Sequence, residues 1–221
     1  ASKILLSRDL NKLDNMNLKQ IKNLIKSFQI LEENYRNEKY EANLKIVYNE
    51  AKVKKLLGSN NISFTEPKNI SAVFFPILFV DEEFLDFNDN YFYKNWTTFK
   101  INNESINFIL PLEDLDDISK IKKMKNQLEE FELKNLVKKY DTKNYIFALM
   151  FFQEKKLNVF LKCNFNDNKI GKNFSYSLNN LQDEEKLNSI LIKLKMQIND
   201  LWKGENIINV AIPLTIKIKF N

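Results

Sequence analysis

Apolar positions change period several times along the chain, and each change marks an element. Ile4, Leu5, Leu6, Leu10 and Leu13 predict a short helix, and Leu18, Ile21, Leu24, Ile25 and Phe28 predict a second. From about Gln29 the period is two. Tyr40, Ala42, Leu44, Ile46 and Tyr48 alternate with Glu41, Asn43, Lys45 and Val47, which predicts strands joined by a hairpin near Asn37. Glu50 to Leu57 predicts a helix closed by Gly58 as a left-handed residue. Ser71 to Val80 reads as a buried strand, with Pro76 placing part of it at an edge or bulge.

Asp81 to Phe99 follows neither period and is rich in aromatics, so it predicts a long loop with a short helix, pinned by its rings. Ser105 to Leu110 is strand-like and ends at Pro111. Glu113 to Ile118 predicts a helix start with an acidic first turn. A further helix after Met124 carries Leu128, Phe131, Leu136, Val137 and Tyr140 inward. Three strands follow, Asn144 to Gln153, Lys156 to Phe165 and Ile170 to Leu178, the last two joined by the turn Asn166-Asp167-Asn168. Asp183 to Lys203 is a helix with Leu187, Ile190, Leu191, Leu194, Ile198 and Trp202 inward, ended by Gly204. Alternation from Val210 to Phe220 predicts a last strand. The sum is an α+β chain in two associated lobes of mainly antiparallel strands covered by helices, residues 1–110 and 111–221.

Composition narrows the chemistry. Among 221 residues there is no histidine and one cysteine, Cys163, so Ser-His-Asp and Cys-His pairs, His-ligated zinc and internal disulfides are excluded. Three dispersed glycines do not assemble a phosphate-cradling loop. The net charge of +5 rests on lysine, since Arg8 and Arg36 are the only arginines. Lysine lacks the planar fork suited to phosphate and guanine, and these lysines are interleaved with acids, which argues against a nucleic-acid footprint. No run reaches the ~18 apolar residues of a spanning helix. No signal peptide is read at Ala1-Ser2-Lys3, which leads directly into the first helix.

Two groupings carry candidate chemistry. The acids Asp81, Glu82, Glu83, Asp86 and Asp89, with Glu113, Asp114, Asp116 and Asp117, are the residue types of cation sites and glycoside hydrolysis, but they lack calcium-loop spacing. A solvated loop and an acidic helix start explain them. The aromatics around Trp96 suit either a stacking platform or a loop anchored in the core. Cys163 is in phase with Leu157, Val159, Leu161 and Phe165 and is expected to point into the core.

Several segments, in order from about residue 4 to residue 165, resemble a bacterial envelope family known as domain of unknown function 2066. Ile4-Leu5-Leu6-Ser7-Arg8-Asp9-Leu10 is similar to the end of that family's first helix. Tyr40 to Tyr48, followed by Val53 and Leu56-Leu57, resembles its strand and short helix. Asn95-Trp96 and the stretch Ile109-Leu110-Pro111-Leu112-Glu113-Asp114-Leu115-Asp116-Asp117-Ile118 resemble its Trp-containing loop and Leu-Pro-Leu-x-Asp-Leu-x-Asp segment, with Glu113 where a glycine is expected. Leu136 to Tyr140 and the strand from Tyr145 resemble the block that follows. The resemblance implies a periplasmic or envelope-associated bacterial protein, trimmed at both ends relative to the family, and supplies no catalytic residues.

The resulting expectation is a non-catalytic protein-binding or scaffold module with no cofactor and no metal. Its partner would be another envelope protein, bound through Trp96, Tyr93, Pro111, Asp114 and Asp117. Two other readings are weak lysine-mediated nucleic-acid binding and a carboxylate-dependent hydrolase using acids near Asp86 and Asp114.

Overall fold

The computed structural model describes residues 4–66, 68–101, 104–112 and 135–208. The fold is α+β, in two compact units: Ala1–Glu66 together with Asn206–Asn221, and Pro67–Glu205. The expected division at 110/111 falls inside the second unit. Strand β4 (Ile70–Val80) pairs in parallel with β6 (Ile106–Ile109) and with β7 (Tyr145–Gln153), so strands from both sides of that point share one sheet. The helices predicted between Glu113 and residue 134, and the strand predicted from Val210, lie outside the described residues.

In the first unit, a 3-10 helix over Ser7–Leu13 precedes α1 (Leu18–Leu24). A capping box starts α1: Gln20 N donates to Asn17 Oδ1 and Asn17 N donates to Gln20 Oε1, both at 2.9 Å. The helix stops at Leu24, four residues before the predicted end. Ile25 instead opens β1 (Ile25–Arg36), in which Phe28 pairs with Ile46 of β2 (Lys39–Tyr48). Cross-strand pairing of β-branched and aromatic residues overrides the helical spacing here. Next, α2 (Glu50–Ser59) runs through Gly58, which has no positive φ; the left-handed residue after the helix is Asn61, at φ 52°. Asparagine tolerates that conformation better than most side chains. Leu5, Leu57, Ile62 and Phe64 form a small core, and β3 (Phe64–Thr65) pairs antiparallel with β10 (Ile207–Ile208).

The second unit is built on a mixed sheet in the order β5-β4-β7-β8-β9, with β6 sharing the β5 edge of β4. Its further strands are β5 (Glu83–Leu85), β8 (Lys156–Phe165) and β9 (Asn168–Ser177), all paired antiparallel. The first packing layer is α4 (Glu184–Glu205), which passes Gly204 before ending. Its Leu187, Leu191, Leu194, Ile198 and Trp202 cover Phe74, Ile146, Met150, Val159, Cys163 and Phe165. On the opposite face Val73, Phe75, Ile77 and Phe79 pack with Tyr145, Phe147, Phe87, Leu136 and Val137. From Ala72 onward strand β4 is therefore buried on both sides, which is why Ala72 to Val80 is an unbroken apolar run. Register places Phe75 beside Phe147 and Phe79 beside Phe151. Both pairs stack, with ring centroids 4.4 and 5.1 Å apart.

Pro76 sits where its missing donor does least harm. Along one edge of β4, β6 covers Ile70 to Val73 and β5 covers Leu78 to Val80, leaving Pro76 in the gap. Its carbonyl accepts from Asn90 Nδ2 at 2.7 Å. A strand residue's N–H and C=O point to the same edge, so proline's absent N–H faces this gap and not β7.

Two-residue turns close the hairpins at Asn37-Glu38, Asp81-Glu82, Glu154-Lys155 and Asn166-Asp167, every one of these residues at positive φ. That is the type I′ geometry, which matches strand twist and favours Asn-Gly. Glutamate and lysine are poor fits to it. The double change Glu154→Asn with Lys155→Gly is expected to raise unfolding free energy by about 1 kcal/mol, read as a higher urea midpoint at constant slope.

Candidate functional site

The residues expected to bind a partner are distributed differently from that expectation. Trp96 is fully buried. Asn90 caps α3 (Tyr91–Asn95), accepting from Phe92 N at 3.0 Å. The cap directs Phe92 and Trp96, four residues apart, onto the sheet. The Trp96 ring stacks on Phe74 at 3.9 Å and meets Phe108 edge-on at 5.2 Å. It is a core anchor, and its assignment as a partner-binding residue is corrected: packed on Phe74 and Phe108, one indole buries more apolar area than any aliphatic side chain would. Tyr93 is half-buried, stacked on Phe87 at 4.6 Å, and its hydroxyl donates to Pro111 O at 2.7 Å. Tyr93 and Pro111 do come together, as a clamp on the chain leaving β6. Tyr140 extends that clamp, accepting from Leu112 N at 3.0 Å. Asp114 and Asp117 lie outside the described residues.

Over the Trp96 ring lies a buried cation. Lys195 of α4 is 2% exposed, and its Nζ stands 5.2 Å from the Trp96 centroid and 5.4 Å from that of Phe108. It donates to Phe99 O at 2.7 Å and to Glu104 Oε1 at 3.0 Å. Burial lowers its pKa, and the bond to Glu104 opposes that shift. One helical turn later, Asn199 Oδ1 accepts from Ser105 N at 2.8 Å; near the helix end Trp202 Nε1 donates to Lys68 O at 3.0 Å. These polar groups of α4 bind backbone at the entrances to β4 and β6, and their geometry is structural.

The acids from Asp81 to Asp89 are exposed. Asp81 and Glu82 form the β4–β5 turn, and Asp86 O accepts from Asp89 N and Asn90 N at 3.0 Å each. They shape a solvated loop. Among the described residues no group of three or more His, Cys, Asp or Glu could hold a metal ion, and no helix is long and apolar enough to cross a membrane.

The surface that stands out is the β1–β2 ribbon. Register sets Phe28 opposite Ile46 and Ile30 opposite Leu44. A bulge at Leu31 then shifts β1 by one residue, so that Glu33 faces Ala42 and Tyr35 faces Tyr40. Because directly opposed residues share a face, one side of the ribbon carries Phe28, Ile30, Tyr35, Tyr40, Ala42, Leu44, Ile46 and Tyr48. The other side carries Ser27, Gln29, Glu32, Asn34, Arg36, Lys39, Glu41, Asn43, Lys45 and one exposed apolar residue, Val47. Side-chain bonds agree with this division: Tyr40 OH donates to Glu33 Oε2 at 2.8 Å on the first face, and Asn43 Nδ2 donates to Glu32 Oε2 at 2.9 Å on the second. Without the bulge Glu32 and Asn34 would interrupt the apolar side. Yet that side is uncovered: its large apolar residues are between 38% and 69% exposed. The alternation in β2 was visible in the sequence; the phase change in β1 was not, because Leu31 breaks the period.

No family model, curated protein or solved structure matches the chain.

Cys163 is buried and free, as its phase predicts, and burial raises its thiol from an ordinary 9.0 to about 12. The folded state holds this proton more tightly than the unfolded state does. Its contribution to stability is therefore complete below pH 9 and declines as pH rises from 9 towards 12. Comparing urea midpoints at pH 8 and at about pH 10.5, the alkaline loss is expected to be smaller in Cys163→Ala than in wild type. An equal loss in both would show that this thiol does not titrate in the way described.

Proposed function

We propose that this chain is a non-catalytic protein-interaction module of the bacterial envelope, and that the apolar face of the β1–β2 ribbon is its docking surface. The exposed apolar face carries the reading. Contiguous apolar patches on a monomer seldom exceed a few hundred Å², and larger ones mark places where another molecule binds. Seven side chains at the exposures given above present on the order of 800 Å², about the share one partner contributes to a standard protein interface. Three of them are tyrosines and one is phenylalanine, the types enriched at such interfaces, while the lysines are confined to the other side. The envelope placement rests on the resemblance of residues 4–165 alone.

Nucleic-acid binding is less well supported, because the lysines on the polar side of the ribbon alternate with Glu32 and Glu41. The hydrolase reading loses the acids from Asp81 to Asp89, which serve a turn in solvent.

A photo-crosslinking residue in place of Phe28, in cells that normally make the protein, is expected to give a covalent protein adduct in the envelope fraction. Ile46→Glu abolishes it, and the same probe at Gln29, on the polar side, gives none. Equal yields at the two positions, or recovery of the chain only with cytosolic proteins, would defeat the proposal.

A further inference from the structure

Resting on that reading, we infer that the occupant of the ribbon's apolar face is the same face of a second copy of this chain. Two such ribbons stacked face to face form a four-stranded sandwich about a two-fold axis, an isologous contact in which each surface is both donor and recipient of the same side chains. Three observations favour it.

The first is composition. Along the whole face the single ionisable carboxylate is Glu33, so an identical face brings apolar side chains against apolar side chains. The second is area. Two copies together bury on the order of 1,600 Å², the size typical of stable complexes. A free two-stranded ribbon, by contrast, is marginal in water, and stacking supplies the missing layer.

The third is charge. Glu33 lies towards the turn at Asn37-Glu38. An antiparallel stack sets the two Glu33 carboxylates at opposite ends of the sandwich. A parallel stack would place Glu33 against Glu33. The antiparallel arrangement is therefore the one selected. A lipid surface is a poorer match, because Glu33 would have to enter the hydrocarbon layer.

Sedimentation equilibrium of the full chain at about 50 μM, within the range such interfaces span, is expected to give twice the 26.3 kDa of one chain. Ile46→Glu and, separately, Leu44→Glu weaken association by about 100-fold or more, with far-UV circular dichroism unchanged. Lys45→Glu, on the polar side, leaves it intact. A monomer at that concentration overturns the inference, as does equal weakening by Lys45→Glu. Flotation of the wild-type chain with vesicles of phosphatidylethanolamine and phosphatidylglycerol, lost in Ile46→Glu, also overturns it. A monomer that still gives a Phe28 adduct to a different protein removes the second copy and leaves the protein-binding reading standing; a monomer with no adduct removes both.

Discussion

The parallel pairing of β4 with β7 is the constraint on which the second unit depends. It runs from Val73 opposite Tyr145 to Val80 opposite Phe152 and joins segments far apart in sequence. Parallel neighbours cannot be joined by a tight turn. Both faces of the pair must then be covered. Helix α4 covers one and the aromatic ladder through Phe75, Phe147, Phe79 and Phe151 thickens the other. The polar groups of α4 bind backbone as well: Lys195 donates to Phe99 O, Asn199 accepts from the buried Ser105 N just ahead of β6, and Trp202 donates to Lys68 O just ahead of β4.

The first unit obeys a different balance. Its helical part closes a small core around Leu5, Leu57, Ile62 and Phe64, while the ribbon keeps its apolar face in solvent. One unit thus completes its burial within itself, and the other leaves a layer unfilled. That difference separates the part of the chain that reads as scaffold from the part that reads as recognition surface.

Much of the fold was legible because local chemistry and final structure agree. The period-two runs in β2 and β8, the apolar run of β7, the buried stripe of α4, the inward phase of Cys163 and the turn near Asn37 follow from local sequence alone. Failures arose where a non-local partner decided the outcome. Phe28 continues a helical stripe by spacing, yet Ile46 captures it in a ladder. Gly58 and Gly204 look like helix ends but lie within helices, with Asn61 taking the left-handed position after α2. For Trp96 the sequence left a core anchor and a binding platform both open; only the positions of Phe74 and Phe108 show why its ring goes inward. The ribbon's face was half visible, since alternation reveals which residues share a side, but not whether anything lies over them.

Pro76 and Asn90 have a consequence beyond tidy bonding. A strand that ends in open hydrogen-bonding capacity invites invasion by a neighbouring polypeptide. Midway along this border of β4 there is no hydrogen to offer, and the lone acceptor is already taken by an amide from the same molecule. An intruder can therefore find no uninterrupted template there, and this apolar strand is guarded against zipping into a fibre by one missing proton and one asparagine.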